Sequence, residues 1–222
     1  MTALLLHPPT PQLLSAAADA LACAGPDDAA GAWPAVLAHS VAVTALAGRA
    51  AACAGFAARD VAAARACALL HDIGKARVPG ELLGKPGRLA ADEWALVEAH
   101  SAAGAEIVAG VPMLAHLAPA VRAVHERWDG SGYPDGLWRR DIPRTARLVA
   151  ACDAYVAMTE HRAYGRRATH REALAELRAG AGSQFDPCLV GAVAVAAAAG
   201  RPAPRARAIA TIAADATVCA AV

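Results

Sequence analysis

Residues 67–79 read CALLHDIGKARVP, and the fold is decided in this stretch. Ala68, Leu69 and Leu70 form an apolar run that leads straight into His71 and Asp72; Gly74 then halts the helix, with Lys75 just past its end. A histidine beside an aspartate, where a buried helix meets a loop, can aim an imidazole and a carboxylate into one cavity. Taken alone the dipeptide is common, and most such pairs cap a helix or sit at a surface. Its weight comes from its company, because further His and Asp residues recur along the chain at helix-and-loop intervals.

Composition sets the surroundings of that stretch. The chain has 222 residues, room for one large domain or two small ones. It is 57% hydrophobic but only 4% aromatic, and alanine supplies much of the apolar share. Alanine has the highest helix propensity, so the composition points to helices around a tightly packed core of small side chains. With 21 basic and 20 acidic residues the net charge is +1, which gives no electrostatic bias towards a nucleic acid polymer. Cys23, Cys53, Cys67, Cys152, Cys188 and Cys219 are scattered singly. They read as small buried hydrophobes of a reducing compartment, not as a disulfide framework or a zinc site. The longest apolar run, 188–199, is too short to span a bilayer. The N-terminal MTALLLHPPTPQ lacks the basic segment of a signal peptide. A soluble, cytoplasmic protein without a membrane partner is the expectation.

Taken in order, residues 1–11 are expected to be a flexible N-terminus, because Pro8, Pro9 and Pro11 oppose a helix there. Helices are expected over 12–24, 35–53 (His39 near its start) and 60–70, the last placing His71 and Asp72 at its end. Residues 78–88, with two prolines and three glycines, read as a loop. Helices follow over 91–100 and 102–108, then 119–128 with His125 in its last turn. DGSGYPDG at 129–136 is a loop, and 143–159 returns to helix with Asp153 inside it. Thr169 and Glu172 form a capping box, and Asp186-Pro187 an N-cap with proline at the first helical position, opening two more helices. Residues 201–222 read as a basic linker and a short C-terminal helix. No strand is evident, so the fold class is all-α, with one helical domain over 12–200.

Six side chains then stand out. His39, His71, His100 and His125, with Asp72 and Asp153, fall on successive helices near their ends or inner faces. Their gaps of 32, 28, 25 and 28 residues each equal about one helix plus its connection. Helical bundles build metal sites in this way, from side chains projecting inward off facing helices. Imidazole and carboxylate donors without thiolate suit iron, manganese, zinc or magnesium. A shared aspartate can bridge two ions, and a pair of ions roughly 3.5–4 Å apart generates hydroxide and clamps a phosphodiester oxygen. Spacing alone makes such a site plausible without establishing it.

HDIGK (71–75), His100 four residues before GAEI (104–107), HERWDGSGYPDG (125–136) and DAYVAMT (153–159) occur together and in order. Together they resemble the HD-GYP domain, a subclass of the HD metal-dependent phosphohydrolases. The resemblance covers about residues 39–190. It implies an HD-type helical bundle with a metal centre in its core, and hydrolysis of the bacterial second messenger cyclic di-GMP to pGpG or GMP by a hydroxide held on the metals. Two divalent ions are implied, iron or manganese first, with magnesium, zinc and nickel as alternatives. By the same resemblance His39, His71, Asp72, His100, His125 and Asp153 match metal ligands, with Asp72 bridging. Lys75 matches the lysine that contacts the substrate phosphate, so Asp72 and Lys75 are the expected catalytic pair. Gly132, Tyr133 and Pro134 match the loop that names the subclass, and Arg162, Tyr164 and Arg166 a segment after the last ligand. A homodimer is compatible with the family.

Three positions depart from the family pattern. Val124 stands where a second adjacent histidine is usual, Ala35 where three-metal members carry a glutamate, and Ala42 where an arginine is frequent. At most two metals are therefore expected. Alongside the phosphodiesterase stands a second reading, a non-catalytic sensor or interaction module, and a third, an HD hydrolase of another phosphate ester. Tyr133 is open between stacking on a guanine and packing on the bundle; Trp94 and Trp128 read as core or rim residues, and Arg139-Arg140 as solvated surface.

Overall fold

The structure, a computed structural model, describes residues 10–25, 33–160 and 167–200. Most of the expected N-terminal segment, Cys219 and the expected C-terminal helix lie outside the described residues, as do Arg162, Tyr164 and Arg166. Among the described residues ten α-helices run in chain order: α1 (Thr10–Ala24), α2 (Trp33–Cys53), α3 (Ala58–Leu70), α4 (Gly80–Leu83), α5 (Ala91–Glu98), α6 (His100–Ala109), α7 (Ala118–Arg122), α8 (Arg144–Thr159), α9 (His170–Ala179) and α10 (Pro187–Ala199). Among the described residues there is no strand, only an isolated bridge between Ala181 and Phe185.

The centre of the bundle is α3, which packs against α1, α2 and α8. Its alanines at 62, 64, 66 and 68 are buried together with Cys67, Leu69 and Leu70. A helix that is apolar on nearly every face belongs inside, and alanine at the contacts lets neighbouring backbones approach closely. The helix α2 lies between α3, α8 and α10. It has 21 residues, and its most apolar 18-residue stretch has a mean hydropathy of 1.4, enough in length and composition for a membrane span. It serves here as a core helix. Its polar residues are used locally: Thr44 donates to the Ser40 carbonyl, and Arg49 to the carbonyl of Ala196 on α10.

Both expected caps form. Thr169 Oγ1 accepts from the Glu172 amide at 3.3 Å while the Glu172 carboxylate accepts from the Thr169 amide at 2.7 Å. Asp186 accepts from the Cys188 amide at 2.9 Å and also pairs with Arg147 of α8, which fastens α10 to the bundle.

Several expectations need correction. Pro11 does not delay the first helix, which starts at Thr10 with proline in its first turn, where no intrahelical N–H is required. Residues 78–88 hold one helical turn, α4, opened by Pro79, whose carbonyl accepts from the Leu82 amide. The helix expected over 119–128 ends at Arg122, and His125 lies beyond it in a turn. Trp128 and Asp129 donate their amides to the carbonyls of Gln184 and Ser183, bonds a continued helix would have spent internally. Cys67 and Cys152 are buried, but Cys23, Cys53 and Cys188 are exposed, so the reading of all cysteines as core hydrophobes fails. Trp94 is 49% exposed and belongs to the surface.

Gly74 also works differently from a helix stop. The chain continues past Asp72 as a 3₁₀ turn over Ile73–Arg77. A Cβ on Gly74 would collide with the carbonyl of His100 and the amide of Gly104. The glycine is there because the HD turn presses against the start of α6, which brings His100 towards Asp72.

Candidate metal centre

Each side chain of the centre arrives on its own element. His39 comes from α2, His71 and Asp72 from the end of α3, His100 from the first residue of α6, His125 from the turn after α7, and Asp153 from α8. All six meet. Two donor groups form, His39 with His71 and Asp72, and Asp72 with His100 and His125; the ligand atoms within each group lie within 4.8 Å of one another. Asp72 belongs to both. Its Oδ2 faces His71 Nε2 at 3.5 Å, and its Oδ1 faces His100 Nε2 at 3.4 Å and His125 Nε2 at 3.9 Å. Asp153 Oδ1 lies 2.7 Å from His39 Nε2 and 3.8 Å from His71 Nε2.

The histidines are aimed by their other nitrogens. His71 Nδ1 donates to the Ala68 carbonyl at 2.8 Å, and His100 Nδ1 to the Val97 carbonyl at 2.6 Å, so each turns the lone pair of Nε2 into the cluster. His71 Nε2 and Asp72 Oδ1 are both fully buried and have no hydrogen-bond partner. Leaving a buried polar atom unsatisfied costs about 1–3 kcal/mol. His71 Nε2 faces Asp72 Oδ2 at 3.5 Å and His100 Nε2 faces Asp72 Oδ1 at 3.4 Å, separations at which a cation can bind both atoms of each pair. The two facing nitrogens of His100 and His125, 2.9 Å apart, converge on the same side. The cluster therefore has the donor set and the orphaned atoms of a divalent-metal site.

Its electrostatics agree. Burial opposes ionisation of Asp72, yet His71, Lys75 and His100 outweigh it and hold the carboxyl well below its usual range. Asp153 is likewise brought down to about 2 against its burial, chiefly by the hydrogen bond from His39. For His125, burial and the neighbouring His100 disfavour the proton, lowering it to about 3 and leaving the neutral imidazole that a metal requires. His39 moves the other way. Its burial is outweighed by hydrogen bonds to Asp153 and Glu160, and it rises to about 9.

A cavity of about 350 Å³ opens on one side of the cluster, lined by His125 and Asp153 together with Glu98, Val124, Arg127, Tyr133 and Phe185 among others. Tyr133 stacks on His125, with ring centroids 5.3 Å apart and an interplanar angle of 12°. Burial, aided by Glu98, pushes its phenol up, so it stays protonated. Of the two readings for Tyr133, the structure thus gives it a partner inside the protein. Lys75, expected at a substrate phosphate, pairs with Asp72 Oδ2 at 2.6 Å. Val124 is 1% exposed in the core yet lines the cavity beside His125.

Two carboxylates escaped the sequence reading. Glu126 is buried and accepts from the amides of Asp135 and Leu137 at 2.7 and 3.0 Å, which folds the GYP loop back over the site. Gly132 of that loop has no room for a Cβ against the backbone of Glu126 and Arg127. Glu160 accepts from His39 Nδ1 at 2.9 Å. The only signal was position, since Glu126 follows His125 directly and Glu160 follows the DAYVAMT segment.

An all-helical bundle with this cluster at its centre is the architecture of the HD domain family, and that family matches residues 27–189. The chain belongs to it, and its motifs place it in the HD-GYP group. A "Probable cyclic di-GMP phosphodiesterase" of Vibrio cholerae is 40% identical over 131 residues, covering 55% of this chain and 30% of the relative. A "3'3'-cGAMP-specific phosphodiesterase 2" of the same organism is 41% identical over 123 residues, covering 54% of this chain and 24% of the relative. The chain thus spans about a third or less of the length of these relatives. Among solved structures, Bd1817, an HD-GYP-type protein of Bdellovibrio bacteriovorus, shares the fold with a TM-score of 0.59 at 21% identity, covering 72% of this chain and 51% of that one.

Proposed function

We propose that the chain is a metal-dependent phosphodiesterase that opens a cyclic dinucleotide, cyclic di-GMP in the first place, to pGpG or onward to GMP. The observation that carries this reading is Asp72, fully buried, with one oxygen turned to each of two imidazole groups. His39, His71, Asp72, His100, His125 and Asp153 would hold two divalent ions; imidazole and carboxylate without thiolate suit iron, manganese, zinc or magnesium, and the HD-GYP resemblance puts iron or manganese first. Held there, the ions supply Lewis acidity, making water nucleophilic near neutral pH and drawing charge off the phosphoryl oxygens.

The chain's own side chains do the rest. Asp72 and Asp153 stay ionised and keep the site anionic enough for cations. Lys75, about a quarter exposed, is the cation free to turn from Asp72 towards a phosphoryl oxygen as charge develops there. Tyr133 and the loop fixed by Glu126 wall the cavity and present an aromatic face beside the reacting phosphate. A soluble, cytoplasmic setting fits this reading, as does a family whose relatives carry cyclic dinucleotides in their names.

Val124 favours one second reading, an impaired enzyme that binds the nucleotide or a single ion without turning it over. The experiment is to purify the protein without oxygen, assay its metal, and incubate it with cyclic di-GMP and 3'3'-cGAMP. Linear dinucleotide or GMP should appear with the wild type and vanish with Asp72→Ala. Metal-loaded protein that leaves both substrates intact sinks the enzyme reading and leaves the binding module.

A further inference from the structure

We infer that Glu160 is a positioning residue for the metal centre, acting through His39. The inference rests on the metal-site reading above. Three of the four clustered histidines have Nδ1 anchored, and the anchors differ in kind. His71 and His100 donate to main-chain carbonyls three residues earlier, at 2.8 and 2.6 Å. His39 has a carboxylate at that position, Glu160 Oε2 at 2.9 Å, brought from 121 residues along the chain. Glu160 caps the end of α8, the helix that also carries Asp153. One helix therefore holds the His39 ring from both edges, with Asp153 Oδ1 at Nε2 and Glu160 at Nδ1.

The division of labour follows from the geometry. The Glu160 side lies away from the cluster, so its bond can persist with a cation loaded, whereas the Asp153–Nε2 bond has to open for Nε2 to become a ligand. With Glu160 in place Nδ1 keeps the proton, Nε2 presents the lone pair, and the imidazole becomes a stronger donor. His39 lies in the first third of α2 with no main-chain carbonyl at Nδ1, so its anchor there is a side chain brought in from α8. The group formed by His39, His71 and Asp72 thus depends on Glu160, while the group formed by Asp72, His100 and His125 does not.

The test titrates manganese into metal-free full-length wild type, Glu160→Ala and Glu160→Gln by calorimetry, with circular dichroism to confirm folding. Losses of outer partners to ligating histidines typically weaken metal binding by about 10–100-fold. Glu160→Ala should lower the affinity of one ion by that order and leave the other unchanged. Glu160→Gln, whose amide oxygen still accepts from Nδ1, should recover most of the loss. A Glu160→Ala protein with both affinities intact overturns the inference, even if it melts earlier, because a purely structural glutamate would move only the melting point. Equal weakening of both ions also overturns it. If the wild type takes up no manganese, iron or zinc, the metal-site reading itself fails and takes this inference with it.

Discussion

Val124 is a single side chain on which much of the chemistry turns. It is buried beside His125 and borders the cavity, in a place where an imidazole would add a donor to the Asp72–His100–His125 group. Valine contributes shape there and no lone pair. Val124→His is expected to raise manganese affinity or occupancy by about tenfold, the order at which metal sites respond to changes around their ligands. Metal analysis after dialysis reads this directly, and unchanged or weaker binding would contradict the idea that a ligand is missing. The residue scale was also where the sequence was most legible in one respect and least in another. His71, Asp72 and His125 could be named because HDIGK and HERWDGSGYPDG are specific patterns, and His100 from its place four residues before GAEI (104–107). Glu126 and Glu160 could not, because an acceptor for a loop amide or a ring nitrogen has no pattern of its own; it is defined only by what folding brings within 3 Å.

At the scale of elements, the contact between the HD turn and α6 sets the position of His100. Gly74 and Gly104 meet with no side chain between them, and a Cβ on Gly74 has no flexible neighbour to displace, only backbone. Gly74→Ala should cost about 1–3 kcal/mol, as overpacked cores do, and should also weaken metal binding by pushing α6 away from Asp72. Urea unfolding and a metal titration measure the two effects. Gly110→Ala, where a Cβ makes only ordinary contact, serves as the comparison and should change neither. Helix ends were read well where side chains cap them, at Thr169 and Asp186, since capping is local chemistry. The end of α7 was not, because the competing bonds come from Ser183 and Gln184, far away in sequence. Two helices were expected over 91–100 and 102–108, and α5 and α6 do form there, meeting at Ala99, where the break sets the entry of His100.

For the whole molecule, a buried anionic cluster is a weakness that a bound cation would turn into a strength. Ions that bind the native state alone stabilise it by RT ln(1 + [L]/Kd), about 2.7 kcal/mol at a hundredfold excess over Kd. Thermal unfolding of protein loaded with manganese should therefore move down on adding a chelator and return on adding excess metal. A midpoint indifferent to both would argue against a folded-state metal site. The all-α class was legible from alanine content and helical spacing, whereas the six-way convergence was not, since spacing says that each ligand has its own helix and leaves their arrangement open. The link between His39 and Asp153 closes 114 residues of chain. During synthesis the Asp72–His100–His125 group is complete once residue 125 has been made, but Asp153 follows 28 residues later. At ribosomal speeds of 5–20 residues per second that is a delay of about one to six seconds. The two halves of the centre are born in sequence, and the half that depends on α2 and α8 is the one that waits for translation.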